Sequence, residues 1–188
     1  LLVRRAEVDA ACSALERIGG RLPSREAAAV QLATSYDLPV MLPSAGGKAG
    51  LLELHWDLAP RGLFSLDLDA WRARSSEFTL EGLTARRFSP EDMLLHLALH
   101  MRKHRYVGLR WLCDVAELMR RHTTTLDWPY VLSTARRAGL RVLLFTSLQL
   151  AERLLQAPVD AGVLRALEPS ALRRGLLQSV LTQNAERR

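Results

Sequence analysis

Apolar and polar positions along this chain follow two periods in turn. Residues 1–3, Leu1-Leu2-Val3, run into Arg4-Arg5 and read as the end of a strand. Over residues 6–18, Val8, Ala11, Cys12, Leu15 and Ile18 recur at helical spacing, and Gly19-Gly20 closes the helix. Pro23-Ser24 opens a second helical stretch, with Ala28, Leu32 and Tyr36 on one side. The period then shortens. Residues 38–42 and 51–56 are apolar β-like runs around Ser44-Ala45-Gly46-Gly47-Lys48, which is a hairpin signal. In the second run, alternation puts Leu52, Leu54 and Trp56 on one face and Leu51, Glu53 and His55 on the other. Glu53 and His55 therefore project side by side, about 7 Å apart along the strand. Residues 67–74 predict a short helix carrying Trp71, and residues 78–80 and 83–85 flank Glu81-Gly82 as a second small hairpin.

From residue 89 onward the helical period takes over. Ser89-Pro90-Glu91-Asp92 is the clearest local signal in the chain. Ser89 can accept from the orphan N–H groups of a first turn, and Pro90 loses nothing at the first helical position. Glu91 and Asp92 place negative charge at the positive end of the helix dipole. The pattern predicts helices over 90–105, 109–121 after Gly108, 127–139 opening on Asp127-Trp128-Pro129, and 140–155 stopped by Pro158. Shorter helices are expected around Val163 and over 172–181. The fold expected is α+β: a partial mixed sheet with flanking helices over residues 1–88, then an all-α helical bundle over 89–188.

Composition narrows the functional classes. With 48% hydrophobic and 24% charged residues the chain can bury a core and is not a disordered segment. No apolar run reaches the roughly 18 residues of a membrane span, and the opening residues do not make a signal peptide. Cys12 and Cys113 lack a CxxC partner and lie among apolar residues, as buried or half-buried reduced thiols of a cytoplasmic protein would. The net charge of +6 is unevenly placed. Residues 1–88 hold 11 Lys+Arg and 11 Asp+Glu, and residues 89–188 hold 15 and 9. Such a basic half can attract phosphates or nucleic acid. Apart from Lys48 and Lys103, however, every basic residue is Arg. A GC-rich genome produces that composition without selection for binding.

Two constellations could carry chemistry. Glu53 is a carboxylate inside an apolar strand, so it must meet solvent, a cation or a metal. His55 on the same face favours a wet cleft, and a solvated strand face is the plain alternative. In the helical half, His96, His100 and His104 stand four residues apart and form one stripe. His96, among leucines, is expected at the core. His100, Lys103 and His104 are neighbours on one face, with Arg102, Arg105, Arg110 and Asp114 around them. Together they suit phosphate oxygens or form a solvated basic face in which Arg110 pairs with Asp114. The HExxH zinc pattern, a phosphate-binding glycine loop and a Ser-His-Asp order are all absent.

Three segments together resemble a known family. Leu51-Leu52-Glu53-Leu54-His55-Trp56, then Ser89-Pro90-Glu91-Asp92-Met93-Leu94-Leu95-His96-Leu97-Ala98-Leu99-His100 with Lys103-His104, then Leu109-Arg110-Trp111-Leu112-Cys113-Asp114-Val115-Ala116-Glu117-Leu118, with Leu126-Asp127-Trp128 after it, are similar to the bacterial uncharacterised nucleotidyltransferase family. The resemblance implies transfer of a nucleotidyl group from a nucleoside triphosphate to an unknown acceptor. It also implies Mg2+ held by an Asp-x-Asp pair and a third strand acid, with a Gly-Ser turn placing the triphosphate. Glu53 matches the third acid and is the expected metal ligand and, with His55, the expected catalytic pair. His100, Lys103, His104, Arg110 and Asp114 match helix positions expected to meet substrate, and Glu53 is expected to share a groove with His100 and Lys103. Neither the acid pair nor the Gly-Ser turn lies in residues 1–188, so the resemblance implies N-terminal truncation. The alternative function is a non-catalytic nucleotide-, RNA- or protein-binding module.

Overall fold

The computed structural model describes residues 1–43, 47, 49–106 and 108–170. Over these residues the chain is α+β, with eight α-helices and two small two-stranded antiparallel sheets. It divides into two compact units, Leu1–Phe64 and Ser65–Arg188. The sequence reading placed its boundary after residue 88, where strands give way to helices.

In the first unit a single 3-10 turn, Arg5–Glu7, precedes α1 (Val8–Arg17) and α2 (Arg25–Thr34). The helical spacing that began at residue 6 thus becomes regular α-helix only at Val8, because the Glu7 carboxylate folds back to accept from the Arg4 N–H at 2.8 Å. Gly19, at φ 84, and Gly20 end α1 by returning their N–H groups to Glu16 O (2.9 Å) and Leu15 O (2.8 Å). A Cβ on Gly20 would stand 2.7 Å from Leu15 O, so the backbone path itself requires glycine there. Ser24 caps α2 by accepting from Ala27 N–H at 3.3 Å.

Strands β1 (Asp37–Leu42) and β2 (Gly50–His55) pair antiparallel, with Asp37 opposite His55, Pro39 opposite Glu53 and Val40 opposite Leu52. Residues 1–3 run parallel to β2 along its other edge, through Val3 N–H to His55 O (2.9 Å) and His55 N–H to Leu1 O (2.7 Å). Arg21 bridges antiparallel to Met41 on the outer edge of β1. The pairing directions are therefore mixed, as the sequence reading expected. Alternation decides what is buried. Val40 and Leu54 join Val8 and Leu15 in the core, with Val3, Leu42, Leu52 and Trp56 packed against it. Each fully buried aliphatic side chain contributes about 1.5–3 kcal/mol. Glu53 and His55 take the opposite face of β2.

The second unit begins with α3 (Leu68–Arg74), capped by Asp67 on Ala70 N–H at 2.9 Å. Strands β3 (Ser76–Leu80) and β4 (Leu83–Arg87) follow. They are joined by a two-residue turn with Glu81 at φ 49 and Gly82 at φ 79, whose twist suits a tight hairpin. Helices α4 (Pro90–Lys103), α5 (Leu109–His122), α6 (Trp128–Ala138), α7 (Arg141–Leu155) and α8 (Ala161–Leu167) make a bundle. Its core holds Leu94, Leu95, Val115, Met119, Val131, Leu144, Leu148 and Leu167. The helix expected over 172–181 lies outside the described residues.

The start of α4 does more than the sequence announced. Ser89 caps it, accepting from Asp92 N–H at 3.2 Å. Glu91 and Asp92, however, are buried rather than facing solvent. Arg74 from α3 donates to Glu91 Oε2 at 2.8 Å and to Asp92 Oδ2 at 3.2 Å, while its guanidinium lies 3.9 Å from the centre of the Tyr130 ring. Asp127 N–H donates to Glu91 Oε1 at 3.2 Å. The two acids thus tie α3, α4 and α6 at one point, with their charges met by hydrogen bonds and a cation, as buried carboxylates require.

Candidate functional site

The polar face of β2 gathers three ionisable side chains. Glu53 and His55 project the same way because they are two residues apart on one strand, and His55 Nε2 lies 3.2 Å from Glu53 Oε2. The antiparallel register brings Asp37 of β1 opposite His55. One ligand atom from each of Asp37, Glu53 and His55 falls within 4.8 Å of the other two. All three residues are half-buried.

Each is held by a neighbour. Ser35 Oγ donates to Asp37 Oδ1 at 2.8 Å. His55 Nδ1 faces the Asp57 carbonyl oxygen at 3.3 Å, and the Tyr36 ring stands 6.0 Å from the imidazole, centre to centre. Two carboxylates and an imidazole converging on one point, on a sheet face away from the core, fit a divalent cation. Among the described residues this is the one group of three or more such side chains so arranged. The sequence reading had Glu53 and His55 and missed Asp37. The missing signal was the register: a β-like run taken to begin at Leu38 leaves Asp37 just outside the strand, and only pairing with His55 brings it in.

The helical residues form a second constellation, within the second unit. The rings of His96, His100 and His104 follow one another along α4, with centres 5.9 and 4.5 Å apart. His96 also meets Phe88 at 5.9 Å, and both residues are half-buried at the edge of the core. Trp111 of α5 packs against two of the imidazoles. His100 meets it edge-on at 4.2 Å, and His104 stacks on it at 4.7 Å with the planes 16° apart. The Arg110 guanidinium lies 4.3 Å from the Trp111 ring centre, a cation–π contact. Lys103 is half-buried in the last turn of α4, and Asp114 is exposed on α5.

Two expectations change here. No ion pair joins Arg110 to Asp114 among the described residues; the indole face next to Arg110 takes the guanidinium instead. Cys113 is exposed, because it falls on the outer side of α5 between the buried Leu112 and Val115, whereas Cys12 is half-buried. Trp111 is half-buried and touches Arg110, His100 and His104.

A family described as "Uncharacterised nucleotidyltransferase" matches residues 1–156. No curated protein and no solved structure matches the chain. The match spans both units and takes in both constellations. No helix among the described residues is long and apolar enough to cross a membrane.

Proposed function

The chain belongs to the uncharacterised nucleotidyltransferase family, and from that premise we propose that it serves metal-dependent transfer of a nucleotidyl group from a nucleoside triphosphate to an acceptor. The observation that carries this reading is the meeting of Asp37, Glu53 and His55 on the polar face of β2. In such a transfer an acceptor oxygen bonds to the α-phosphorus, the bond from that phosphorus to the bridging oxygen breaks, and pyrophosphate leaves. A divalent ion held there, Mg2+ by resemblance, would supply positive charge against the charge growing on the phosphate oxygens.

Glu53 and Asp37 would hold that ion through carboxylate oxygens, with His55 beside them. Ser35 fixes the Asp37 carboxylate and the Asp57 carbonyl fixes the His55 ring, so the donors need little reorganisation on binding. Residues 1–3 run beside β2, with Leu2 level with His55.

In the second unit, His100, Lys103, His104, Arg110 and Asp114 are proposed to meet substrate. Lys103 and the imidazoles would donate to phosphate oxygens. The Arg110 guanidinium lies against the Trp111 ring, on which His104 also stacks. We place the protein in the cytoplasm, where nucleoside triphosphates are found.

The test is to incubate the full gene product with each nucleoside triphosphate labelled at the α-phosphate, with Mg2+ or Mn2+, and to look for label on an acceptor. Metal-dependent label transfer that Glu53→Gln abolishes supports the reading. Triphosphate or RNA binding with no labelled product under either ion points instead to a non-catalytic binding module.

A further inference from the structure

We propose that the β3–β4 hairpin is a self-association surface. Its apolar face packs against the same face of a second copy of this chain, with the two hairpins running in opposite directions. None of its residues takes part in the nucleotidyl-transfer reading above.

Register fixes the two faces. Ser76 pairs with Arg87, Phe78 with Ala85 and Leu80 with Leu83, so these six side chains share one side. Glu77 pairs with Arg86 and Thr79 with Thr84 on the other side, where Arg86 Nη1 donates to Glu77 Oε1 at 3.1 Å. One face is therefore polar, and the other is apolar except at its Ser76–Arg87 end. In a larger sheet that apolar face would be covered. Here Leu80 is 64% and Leu83 is 75% exposed, and Ala85 is exposed beside them. Phe78 is half-buried, with the Arg87 guanidinium 5.8 Å from its ring centre.

The hairpin is anchored at its base and uncovered elsewhere. Arg86 Nη2 donates to the Ser75 carbonyl oxygen at 2.6 Å, and the Phe88 ring meets Trp71 edge-on at 5.5 Å. Among the described residues no backbone hydrogen bond joins the outer edge of either strand to another segment. Two strands alone are marginal in water, and an apolar face gains from a second layer about 10 Å away.

Charge selects a second copy as that layer. Glu81 in the turn and Arg87 at the open end are exposed, and neither makes an ion pair among the described residues. Four residues of β4 separate Leu83, next to the turn, from Arg87, which is about 14 Å of strand. Exposed charges that far apart are screened from one another. A twofold axis through the Phe78–Ala85 pair reverses the second hairpin, so that each turn lies over the open end of the other copy. Glu81 then meets the partner's Arg87, twice per dimer. Leu80 and Leu83 come over the aliphatic stem of that arginine and the neighbouring Phe78 face. A parallel stack would instead set Arg87 on Arg87 and Glu81 on Glu81. Faces of two five-residue strands bury well under about 1,200 Å2 in total, which makes the dimer weak and reversible.

The experiment is sedimentation velocity of the intact protein from micromolar to near-millimolar concentration. We expect the mass to rise from one chain towards two. Leu83→Lys, at an exposed position that folding does not depend on, should weaken association by about tenfold or more. Glu81→Arg and Arg87→Glu should each weaken it as well; Glu81 has a positive φ of 49°, and Arg105 of this chain already holds arginine at 55°. An equal mixture of those two variants should associate about tenfold more tightly than either alone, because both contacts then join opposite charges again. Wild-type protein that keeps the mass of one chain throughout, or a dimer that Leu83→Lys leaves unchanged, overturns the proposal. So does a mixture no tighter than its two components.

Discussion

Tyr130 donates its hydroxyl proton to Asp92 Oδ1 at 2.6 Å, across 38 residues of sequence, and so ties the first turn of α6 to the first turn of α4. Arg74 holds the other oxygen of the same carboxylate at 3.2 Å. Asp92 is fully buried, so its charge depends on both partners. Removing the cation leaves two carboxylates in a poorly solvated place. Arg74→Ala should therefore cost about 2–4 kcal/mol, the lower end reflecting a guanidinium that is itself partly exposed. Urea denaturation of the two proteins measures this, and an unchanged midpoint would contradict it.

Glu91 gives the same clamp a pH signature. Burial alone would raise its carboxyl. Hydrogen bonds from the Asp127 N–H, its own N–H and the Ser89 hydroxyl, with the Arg74 charge, outweigh burial and hold it below the ordinary value of 4.5. For a depressed carboxyl, the stabilising contribution is present in full above the ordinary value and is lost as pH falls through the lower native value. Glu91→Gln should accordingly be less stable than wild type at neutral pH. The difference should shrink in acid below about pH 4.5. Parallel denaturation curves at every pH would argue against this account.

Two tyrosines set the alkaline limit. Burial pushes the Tyr106 hydroxyl up to about 12, against smaller lowering effects from Ser147, the Arg102 charge and Thr146. Tyr130 is also pushed up to about 12, by burial first and then by its hydrogen bond to Asp92 and the charge of that carboxylate. Above the ordinary value near 10 the unfolded chain releases these protons while the native protein keeps them. Stability should thus fall as pH rises from about 10 towards 12. Absorbance near 295 nm should show Tyr106 and Tyr130 ionising only near pH 12 or with unfolding.

The substrate assignment on α4 makes its own prediction. A charge-assisted hydrogen bond is worth about 1.5–3 kcal/mol, so Lys103→Ala should weaken triphosphate binding by roughly tenfold or more. His104→Ala removes the ring stacked on Trp111 and should alter indole fluorescence whether or not ligand is present. Equal triphosphate affinity in wild type and Lys103→Ala would remove this helix from the substrate site.

Most of the fold was legible because its signals are local. The Ser89–Pro90 cap, the Gly19-Gly20 stop and the Glu81-Gly82 turn each act within a few residues, and all three end or begin elements where the sequence placed them. Alternation along β2 fixed which face Glu53 and His55 share. What stayed hidden is set by pairing between distant segments. Asp37 enters the candidate centre only through its register with His55, and that register depends on how the chain crosses between β1 and β2. Glu91 and Asp92 read as charges at a helix end, and their burial depends on Arg74, 17 and 18 residues upstream, and on Tyr130. Nor does the sequence foretell that Trp111 would touch Arg110 and two histidines.

One metal-binding corollary follows from the hydrogen bond between Ser35 and Asp37. Ser35→Ala removes the donor that orients the Asp37 carboxylate without touching a donor atom itself. Changes of this kind cost about 10–100-fold in metal affinity. Isothermal titration with MnCl2 should show a loss towards the lower end of that range, with stoichiometry unchanged; equal affinities would mean that Asp37 needs no such support or binds no ion.

The most direct measurement is anomalous diffraction at the manganese absorption edge from crystals of this protein soaked in MnCl2. The account predicts a single strong peak in the first unit, bonded to Asp37 and Glu53, with the His55 imidazole beside it and still facing the Asp57 carbonyl. Full occupancy of Mn2+ at some other place, or crystals at saturating MnCl2 with no density between those three side chains, would contradict it.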